Sequence, residues 1–329
     1  MFGFILRRMA YMVVVLIAVS VVSFVIIELP PGDYMTSYII RLKQTGGGTI
    51  TDDQIASLRK QYGLDLPMYR RYLKWAWNML HGDLGQSWQF GEPVWDLVAE
   101  RLPMTVLLSL STLVFSYLVA IPTGIYSAVH QYSAGDYVLT ALGFIGVATP
   151  NFLLALIVMF GLNRFFGLSI GGLFSPRYAT AAWSWAKFVD MLKHLPAPIL
   201  VIGLSNLAWL IRIMRGTLLD ELNRPYVTVA RAKGLKESKL LWKYPVRIAI
   251  NPIISTIGYS LPAIFSGSTI VSIVLNIPTI GPLLFTALVA QDSYLAGSCV
   301  FALSALTVIG TLISDILLAY VDPRIRLVQ

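Results

Sequence analysis

Histidine and cysteine side chains, which bind metals and act as nucleophiles in many proteins, are scarce in this sequence. The three histidines are His81, His130 and His194, and they are too far apart in the chain to show the spacing of a metal site. Cys299 is the single cysteine and lies in an apolar run, which excludes an internal disulfide and a cysteine-built metal cluster. We therefore expect the histidines to be loop or membrane-interface side chains.

A glycine-rich phosphate-binding loop would indicate nucleotide chemistry. The pattern Gly-x-x-x-x-Gly-Lys-Ser/Thr does not occur in the sequence, and the triplet Gly46-Gly47-Gly48 lacks the lysine that the pattern requires. We interpret this triplet as a flexible loop. Because no His, Asp or Glu cluster suggests an active site either, the sequence predicts a chain that is not an enzyme.

One polar stretch has a pattern that charge alone does not explain. Tyr226–Leu241 reads YVTVARAKGLKESKLL and lies between two long apolar runs. The surrounding stretch Arg224–Arg247 contains seven lysines and arginines, which the orientation of a membrane protein would by itself place in a cytoplasmic loop. The cations are therefore as typical of a solvated loop as of a binding surface.

Small residues within this stretch favour a docking element over a solvated loop. Ala230 and Ala232 flank an arginine and would let a helix sit close to a partner backbone. Gly234 can end that helix in the left-handed conformation. The pattern predicts a short helix, a sharp turn and a second helix that leads to Pro245. The expected apolar patch consists of Leu235, Leu240 and Leu241.

The amino-acid composition indicates the kind of protein in which this stretch lies. Of the 329 residues, 56% are hydrophobic and 13% are charged, whereas a soluble domain has about 25% charged residues. The sequence therefore predicts an integral membrane protein in contact with lipid. Its net charge of +8 comes from cations near the ends of apolar runs, which positive-inside topology explains without nucleic acid as a partner.

Six apolar runs are long enough to cross a bilayer, which takes about 20 residues per helix. They are Met9–Leu29, Met104–Val129, Val138–Phe165, Pro196–Gly216, Ala249–Leu275 and Tyr294–Tyr320. We predict an all-α protein with six transmembrane helices and with both termini in the cytoplasm. A signal peptide is the alternative for the first run, but its apolar core would normally have only 7–15 residues.

Charged residues are rare in these runs, and such residues usually face a protein interior or water. The candidates are Glu28, Arg212 and Asp315, which we expect to be interfacial. The second, third and fifth runs contain no acidic residue, whereas a proton or sodium symporter would normally need one near the midplane. This pattern disfavours a secondary carrier.

The segment between the first two spans, Asp33–Pro103, contains eight Lys/Arg and eight Asp/Glu and reads as a small helical segment outside the membrane. Thr51 caps a first predicted helix, Pro67 opens a second and Pro93 begins a third. The predicted apolar stripe of the second helix is Tyr69, Tyr72, Leu73, Ala76 and Leu80. A further short helix, external or re-entrant, is predicted within Asn276–Ser293.

The predicted organisation has three parts. Residues 1–29 form the N-terminus and first span, residues 30–103 the extracytoplasmic helical segment, and residues 104–329 a membrane core. That core includes a cytoplasmic loop at residues 217–248.

The loop resembles the EAA loop of the membrane subunits of ABC importers, in the variant typical of the oligopeptide/dipeptide/nickel permease family, which has threonine in place of the older glutamate. The matching residues are Tyr226, Val227, Thr228, Ala230, Arg231, Ala232, Lys233, Gly234 and Leu235. The similarity extends over nearly the whole chain, including Thr51–Asp65, Gly82–Ser87, Val94–Thr105, Val271–Gly281 and Asp322–Arg326, and is greatest with the B-type subunit. Tyr244-Pro245 departs from relatives with histidine and alanine there, so the second loop helix is expected to end early.

This resemblance implies a type I ABC importer permease in the inner membrane of a prokaryote. The loop would be the coupling helix that contacts a cytoplasmic ATPase. The residues carried over to that contact are Tyr226, Thr228, Ala230, Arg231, Ala232, Lys233, Gly234, Leu235 and Ser238. The implied partners are a second homologous permease, two ABC ATPase subunits and an extracytoplasmic solute-binding protein. The chain would bind no cofactor, because ATP and Mg²⁺ belong to the ATPase subunits.

The resemblance to this family implies oligopeptides or dipeptides as the solute, with oligosaccharides or a nickel chelate as alternatives. An ATP-independent channel or secondary carrier is a hypothesis of another class, and an integral membrane enzyme is a third. The sequence does not identify the residues that line the solute path.

Overall fold

The structure is a computed structural model that describes residues 2–29, 34, 57, 60, 65–167 and 171–321. Its regular structure there is helical, with an isolated antiparallel bridge between Gln86 and Pro93. The Gly46–Gly48 loop, the C-terminal stretch Asp322–Arg326 and, apart from residues 57 and 60, the helix predicted from Thr51 lie outside the described residues. The helices, numbered in chain order, are α1 (Phe2–Glu28), α2 (Met68–Leu80), α3 (Val94–Val129), α4 (Ala134–Ala148), α5 (Asn151–Phe166), α6 (Pro176–Ala179), α7 (Trp185–His194), α8 (Pro196–Leu222), α9 (Pro225–Ala232), α10 (Glu237–Lys243), α11 (Pro245–Ser255), α12 (Ile257–Val274), α13 (Ile280–Ala290) and α14 (Ser293–Val321).

These helices confirm the predicted all-α membrane fold. Within the described residues, 4 helices are long and apolar enough to cross a membrane, and the number rises to 6 if each of two bent helix pairs is one span. The four single helices contain the predicted first, second, fourth and sixth spans. The bent pairs contain the predicted third and fifth spans.

The third span is a bent pair of helices. Helices α4 and α5 meet at an angle of 109°. The break falls at Thr149, which has an extended backbone (φ −92°, ψ 123°) and is followed by Pro150. Because a proline disfavours the helical conformation of the residue before it, α4 cannot continue through this position. The fifth span is bent by 57° between residues 237–255 and 260–274.

The third predicted helix of the external segment differs from its prediction. It is not separate from the second span, because α3 runs for 36 residues from Val94 to Val129. The helix passes through Pro103 and Pro122 without a break. A continuous helix of this length is about 54 Å long, well above the roughly 30 Å hydrocarbon core of a bilayer. Part of the helix therefore extends beyond the apolar layer.

The chain forms two compact units, and the first contains residues 106–277 with residues 1–6 and 309–329. Its central element is α8, which packs against α4, α5, α11 and α12. Leu210, Met214 and Leu218 on α8 are fully buried. Gly146 of α4 lies so close to α8 that a Cβ atom there would be 2.9 Å from the carbonyl oxygen of Leu204. Backbone contact of this kind requires glycine on one of the two helices.

The second unit contains residues 7–105 and 278–308. Its apolar core joins the beginning of α3 to α13 and the beginning of α14, with Val94, Ile280 and Leu295 fully buried. Helix α13 confirms the short helix predicted within Asn276–Ser293. Helix α2 packs in the same unit through Trp75, which is 2% exposed and lies against Phe24.

The predicted apolar stripe of α2 forms only part of its packed face, since Tyr72 and Ala76 of the stripe are half-buried. Trp75, which was not assigned to that stripe, is the fully buried residue, and Tyr72 lies beside it against Phe24. Leu73 and Leu80, both members of the stripe, are exposed to 60% and 78%. The helix therefore has apolar residues on two faces, and only one of them packs against described residues.

A buried carboxylate connects the turn after α2 to the start of α14. Asp292 accepts hydrogen bonds at Oδ2 from the Ser87 hydroxyl (2.7 Å) and the Gln89 N–H (3.0 Å). At Oδ1 it accepts one from the Leu295 N–H (3.2 Å), which makes it the N-cap of α14. Burial raises the pKa of Asp292, although these hydrogen bonds oppose the increase. The carboxylate thus fixes two segments that are about 200 residues apart in the chain.

Candidate functional site

The loop singled out in the sequence, residues 217–248, begins on α8 and ends on α11. Helix α8 continues to Leu222, beyond the predicted end of its span. Helix α9 then begins at Pro225, whose fixed φ and missing N–H suit the first helical position. Two short helices, α9 and α10, are joined by a tight turn, as the residue pattern predicted.

Gly234 makes that turn. Its φ is +77°, the left-handed conformation that the sequence predicted. The N–H of Gly234 bonds to the carbonyl of Arg231 (3.0 Å) and the N–H of Leu235 to that of Ala230 (3.4 Å). This pair of bonds is a Schellman motif, which satisfies the free carbonyls at the end of α9. A Cβ at Gly234 would meet no other atom of the described chain within 4 Å.

An ion pair of exposed side chains connects α9 to α10 across the turn. Arg231 donates from Nε to Glu237 Oε1 (2.5 Å) and from Nη2 to Oε2 (3.2 Å). Both side chains are exposed, so the pair orients the two helices more than it stabilises them. Arg231, one of the predicted contact residues, is therefore already paired within the loop.

The inner side of the loop is held by buried groups. Val227 and Leu240 are fully buried, and the Tyr226 hydroxyl donates to Glu221 Oε2 at 2.6 Å. Burial, with the neighbouring Glu221 carboxylate, raises the pKa of Tyr226 to about 12. Leu240 therefore belongs to the interior, and its assignment to an exposed apolar patch is wrong. Helix α10 ends at Lys243, before Tyr244-Pro245, as the departure from the family pattern predicted.

The predicted contact residues divide by exposure. The exposed ones are Thr228, Arg231, Ala232, Lys233, Gly234 and Ser238, and the half-buried ones are Tyr226, Ala230 and Leu235. Sequence reasoning missed two large apolar side chains in the same loop, Val229 (53% exposed) and Trp242 (61% exposed). The available signal was that each is an apolar residue within a polar run.

The loop is attached firmly to the helices on either side. Met214 and Leu218 of α8 pack with Val246, Ala249 and Ile253 of α11 in one buried cluster. The Thr217 hydroxyl also donates to the carbonyl of Ala249 at 3.2 Å. A displacement of the loop must therefore move α8 and α11 with it, because tightly packed interiors transmit strain.

A charged pair fixes the same part of α8 to α4. Arg215 Nη2 donates to Asp136 Oδ2 at 2.9 Å, and the Asp136 side chain is almost fully buried. Asp136 also accepts from the Tyr132 N–H at 3.0 Å. Arg212, one turn earlier, lies over the ring of Phe144 at 5.3 Å. At the end of α1, Glu28 forms an ion pair with Arg71.

These features define a multi-pass helical membrane protein with a folded helix–turn–helix loop whose surface is largely exposed. Residues 120–327 match the family described as binding-protein-dependent transport system inner membrane component. Residues 1–111 match the N-terminal family of the same membrane components. The chain belongs to this family of binding-protein-dependent transport system inner membrane components.

Curated relatives agree along the whole chain. The oligopeptide transport system permease protein AppB of Bacillus subtilis is 35% identical over 327 residues, which cover 99% of this chain and 100% of the relative. The peptidoglycan transport system permease protein YejB of Agrobacterium fabrum is 30% identical, with 98% of each chain covered. The dipeptide transport system permease protein DppB of Escherichia coli is 28% identical, with 99% of each covered.

The predicted recognition, fold class and general function are therefore confirmed. The chain is a multi-pass inner-membrane permease subunit of an ABC importer and not an enzyme. Such a subunit works with an ATPase and with a solute-binding protein. The hypothesis of an independent channel or carrier is not supported.

Proposed function

We propose that this chain forms one half of the membrane path of a peptide importer. The observation that carries the proposal is the full-length similarity to an oligopeptide permease, supported by a dipeptide permease of equal coverage. A second, homologous permease would supply the other half. Oligosaccharides and nickel chelates are the alternative solutes.

The loop of α9 and α10 is the proposed contact with the ATPase. Its exposed surface combines small residues with cations, and Val229 and Trp242 add apolar area at either end. Apolar side chains of this size are typical of interface cores, where aromatic residues are enriched. The chain itself would bind no cofactor, and two ATPase subunits would hold ATP and Mg²⁺.

This proposal places the loop and both termini in the cytoplasm. The seven cations of Arg224–Arg247 support that orientation, because short cytoplasmic loops are rich in lysine and arginine. Residues 30–103 would then lie on the opposite side, under the solute-binding protein. The eight cations of Asp33–Pro103 do not conflict with this, since long segments translocate largely regardless of charge.

The packing of the loop suggests how ATP drives transport. Closure of the ATPase dimer would displace α9 and α10, and the cluster around Met214 and Val246 would pass the displacement to α8 and α11. The path would then change between inward-open and outward-open states. Because a ligand shifts such an equilibrium only by its differential affinity, the loaded binding protein must prefer the outward-open state.

Copurification followed by reconstitution tests the proposed function. An affinity-tagged chain should bring with it a second permease and ATPase subunits, and proteoliposomes of the complex should take up labelled peptide only with ATP and the binding protein. Uptake without ATP would overturn the importer assignment. Mass spectrometry of the solute retained by the binding protein identifies the cargo, and a sugar or a nickel chelate there would overturn the peptide assignment.

Cysteine cross-linking tests the contact surface separately. In a Cys299→Ala background, Ser238→Cys and Thr228→Cys should cross-link to the ATPase subunit. The matched control is Gln131→Cys, which is exposed in the other loop predicted on the same side of the membrane. Equal cross-linking of all three variants would show only that they share a membrane side, and absence of cross-links at Ser238 and Thr228 would contradict the proposed contact.

A further inference from the structure

Helix α2 carries an apolar row that remains exposed among the residues that the structure describes. Tyr69, Leu73, Trp77 and Leu80 follow one another at intervals of three or four residues, which places them on one side of the helix. Their exposed fractions range from 60% to 78%. Tyrosine and tryptophan in such a row are typical of the boundary between lipid and water.

The opposite side of α2 fixes its depth along the first span. The Tyr72 hydroxyl is 2.9 Å from the Ser20 hydroxyl, and the Tyr72 ring contacts Phe24 at 5.5 Å between centroids. Arg71 pairs with Glu28 at the end of α1. Since a helix rises 1.5 Å per residue, these contacts cover about 12 Å of the span from its end inward. Helix α2 therefore lies beside the membrane-embedded end of α1.

The same contacts fix how α2 is rotated about its axis. Consecutive residues in a helix are about 100° apart. On the circumference of the helix, the apolar row lies next to Tyr72. The partner of Tyr72, Ser20, lies deep in the span. Lys74 lies about 60° around the helix from Arg71, whose partner Glu28 lies at the end of the span, and Arg70 lies between Lys74 and the edge of the apolar row. Apolar residues thus point to the deep side and cations to the shallow side.

Helix α1 supplies the surface that this arrangement continues. Its end exposes a group of large apolar side chains, as expected of a surface in contact with lipid. These residues are Val21, Val22, Val25, Ile26 and Leu29. The exposed row of α2 therefore adjoins the lipid-facing surface of the first span at the same depth.

We propose that α2 is an interfacial helix that lies in the headgroup layer of the bilayer at the Glu28 end of α1. The apolar row enters the upper part of the acyl chains, and Arg70 and Lys74 contact the phosphates of anionic lipids. Amphipathic helices with aromatic residues on the apolar side and cations on the polar side bind membranes in this way. The membrane would hold this end of the helical segment, independently of any protein partner.

Depth-dependent fluorescence quenching in the intact complex tests the proposal. A Leu73→Cys variant in the Cys299→Ala background is labelled with bimane and reconstituted in phosphatidylcholine vesicles containing phosphatidylglycerol. Phospholipids brominated near the headgroup should remove most of the bimane fluorescence, and aqueous iodide should remove little. The matched control is Lys74→Cys, one residue along the helix, where the order of the two quenchers should reverse.

Several outcomes would overturn the proposal. Strong quenching of the Leu73 probe by iodide would place the row in water. Protection from iodide only after the solute-binding protein is added would assign the row to that protein. Protection from both quenchers in its absence would show that another part of the complex covers the row. Since both substituted side chains are exposed, neither label should prevent folding.

Discussion

Gly234 offers the sharpest test of the proposed ATPase contact, because the effect of backbone strain at this position can be separated from the effect of contacts made by an added side chain. Its φ of +77° costs an L-residue about 1–2 kcal/mol, and asparagine less than most. A Cβ at this position meets nothing in the described chain within 4 Å. Alanine and leucine should therefore impose the same local strain, and any further loss with leucine reports a surface outside this chain.

We expect a graded series in reconstituted complexes. Gly234→Asn should retain most ATP-dependent uptake, and Gly234→Ala should lose up to about tenfold, since 1.4 kcal/mol corresponds to a factor of ten. Gly234→Leu should fall well below Gly234→Ala and should lose the stimulation of ATP hydrolysis by the loaded binding protein. Membrane insertion of all three variants should match the wild type.

Gly167 provides the matched control. It also ends a helix with a positive φ, +64°, and a Cβ there likewise meets no atom of the described residues within 4 Å. Alanine and leucine at Gly167 should therefore have equal effects on uptake. If leucine and alanine at Gly234 are also equal, and hydrolysis remains stimulated, the turn does not contact the ATPase and the reasoning fails.

Three further predictions concern the groups that hold the helices. Asp292→Ala leaves buried donors without their acceptor and should cost about 3–4 kcal/mol, so hydrogen exchange in residues 82–92 should accelerate about 10²–10³-fold. Because burial raises the pKa of Asp292, ionisation costs the folded state more than the unfolded state, so stability should fall as the pH rises from the ordinary carboxyl range through that raised pKa, and thermal unfolding of Asp292→Asn should lack this decrease. Tyr226→Phe should cost about 1 kcal/mol by hydrogen exchange in α9; with the wild-type pKa raised to about 12, the hydrogen bond to Glu221 should persist until pH approaches that value. Asp136→Ala should lower stability by about 2–3 kcal/mol, because it leaves Arg215 partly buried without its partner, and a double-mutant cycle with Arg215→Gln measures the coupling.

The sequence predicted the loop well because its signals are local. Glycine in a left-handed turn, proline at the start of a helix and small residues near a helix end each follow from backbone sterics. Gly234 and the end of α10 before Tyr244 therefore agree with the predictions. The lengths of the apolar runs likewise predicted the spans.

Predictions that depended on packing were less successful. Leu240 and Leu73 are both leucines in amphipathic helices, yet the first is buried and the second exposed, because tertiary contacts decide which of two apolar faces packs. The sequence placed Pro150 inside the third span but did not predict the size of the angle at Thr149–Pro150. A proline in an apolar run permits a continuous helix, as in α3, or a break, as between α4 and α5, and the outcome depends on neighbouring helices.

The glycine contact between α4 and α8 limits the motions that transport can use. With the Gly146 backbone against the Leu204 carbonyl, neither helix can rotate or slide without forcing a larger residue into the contact. The ion pair of Asp136 and Arg215 fixes a second point on the same two helices. During a transport cycle α4 and α8 would therefore travel as one rigid body. Two distance probes, one on α4 and one on α8, should remain at a constant separation while the solute path opens and closes.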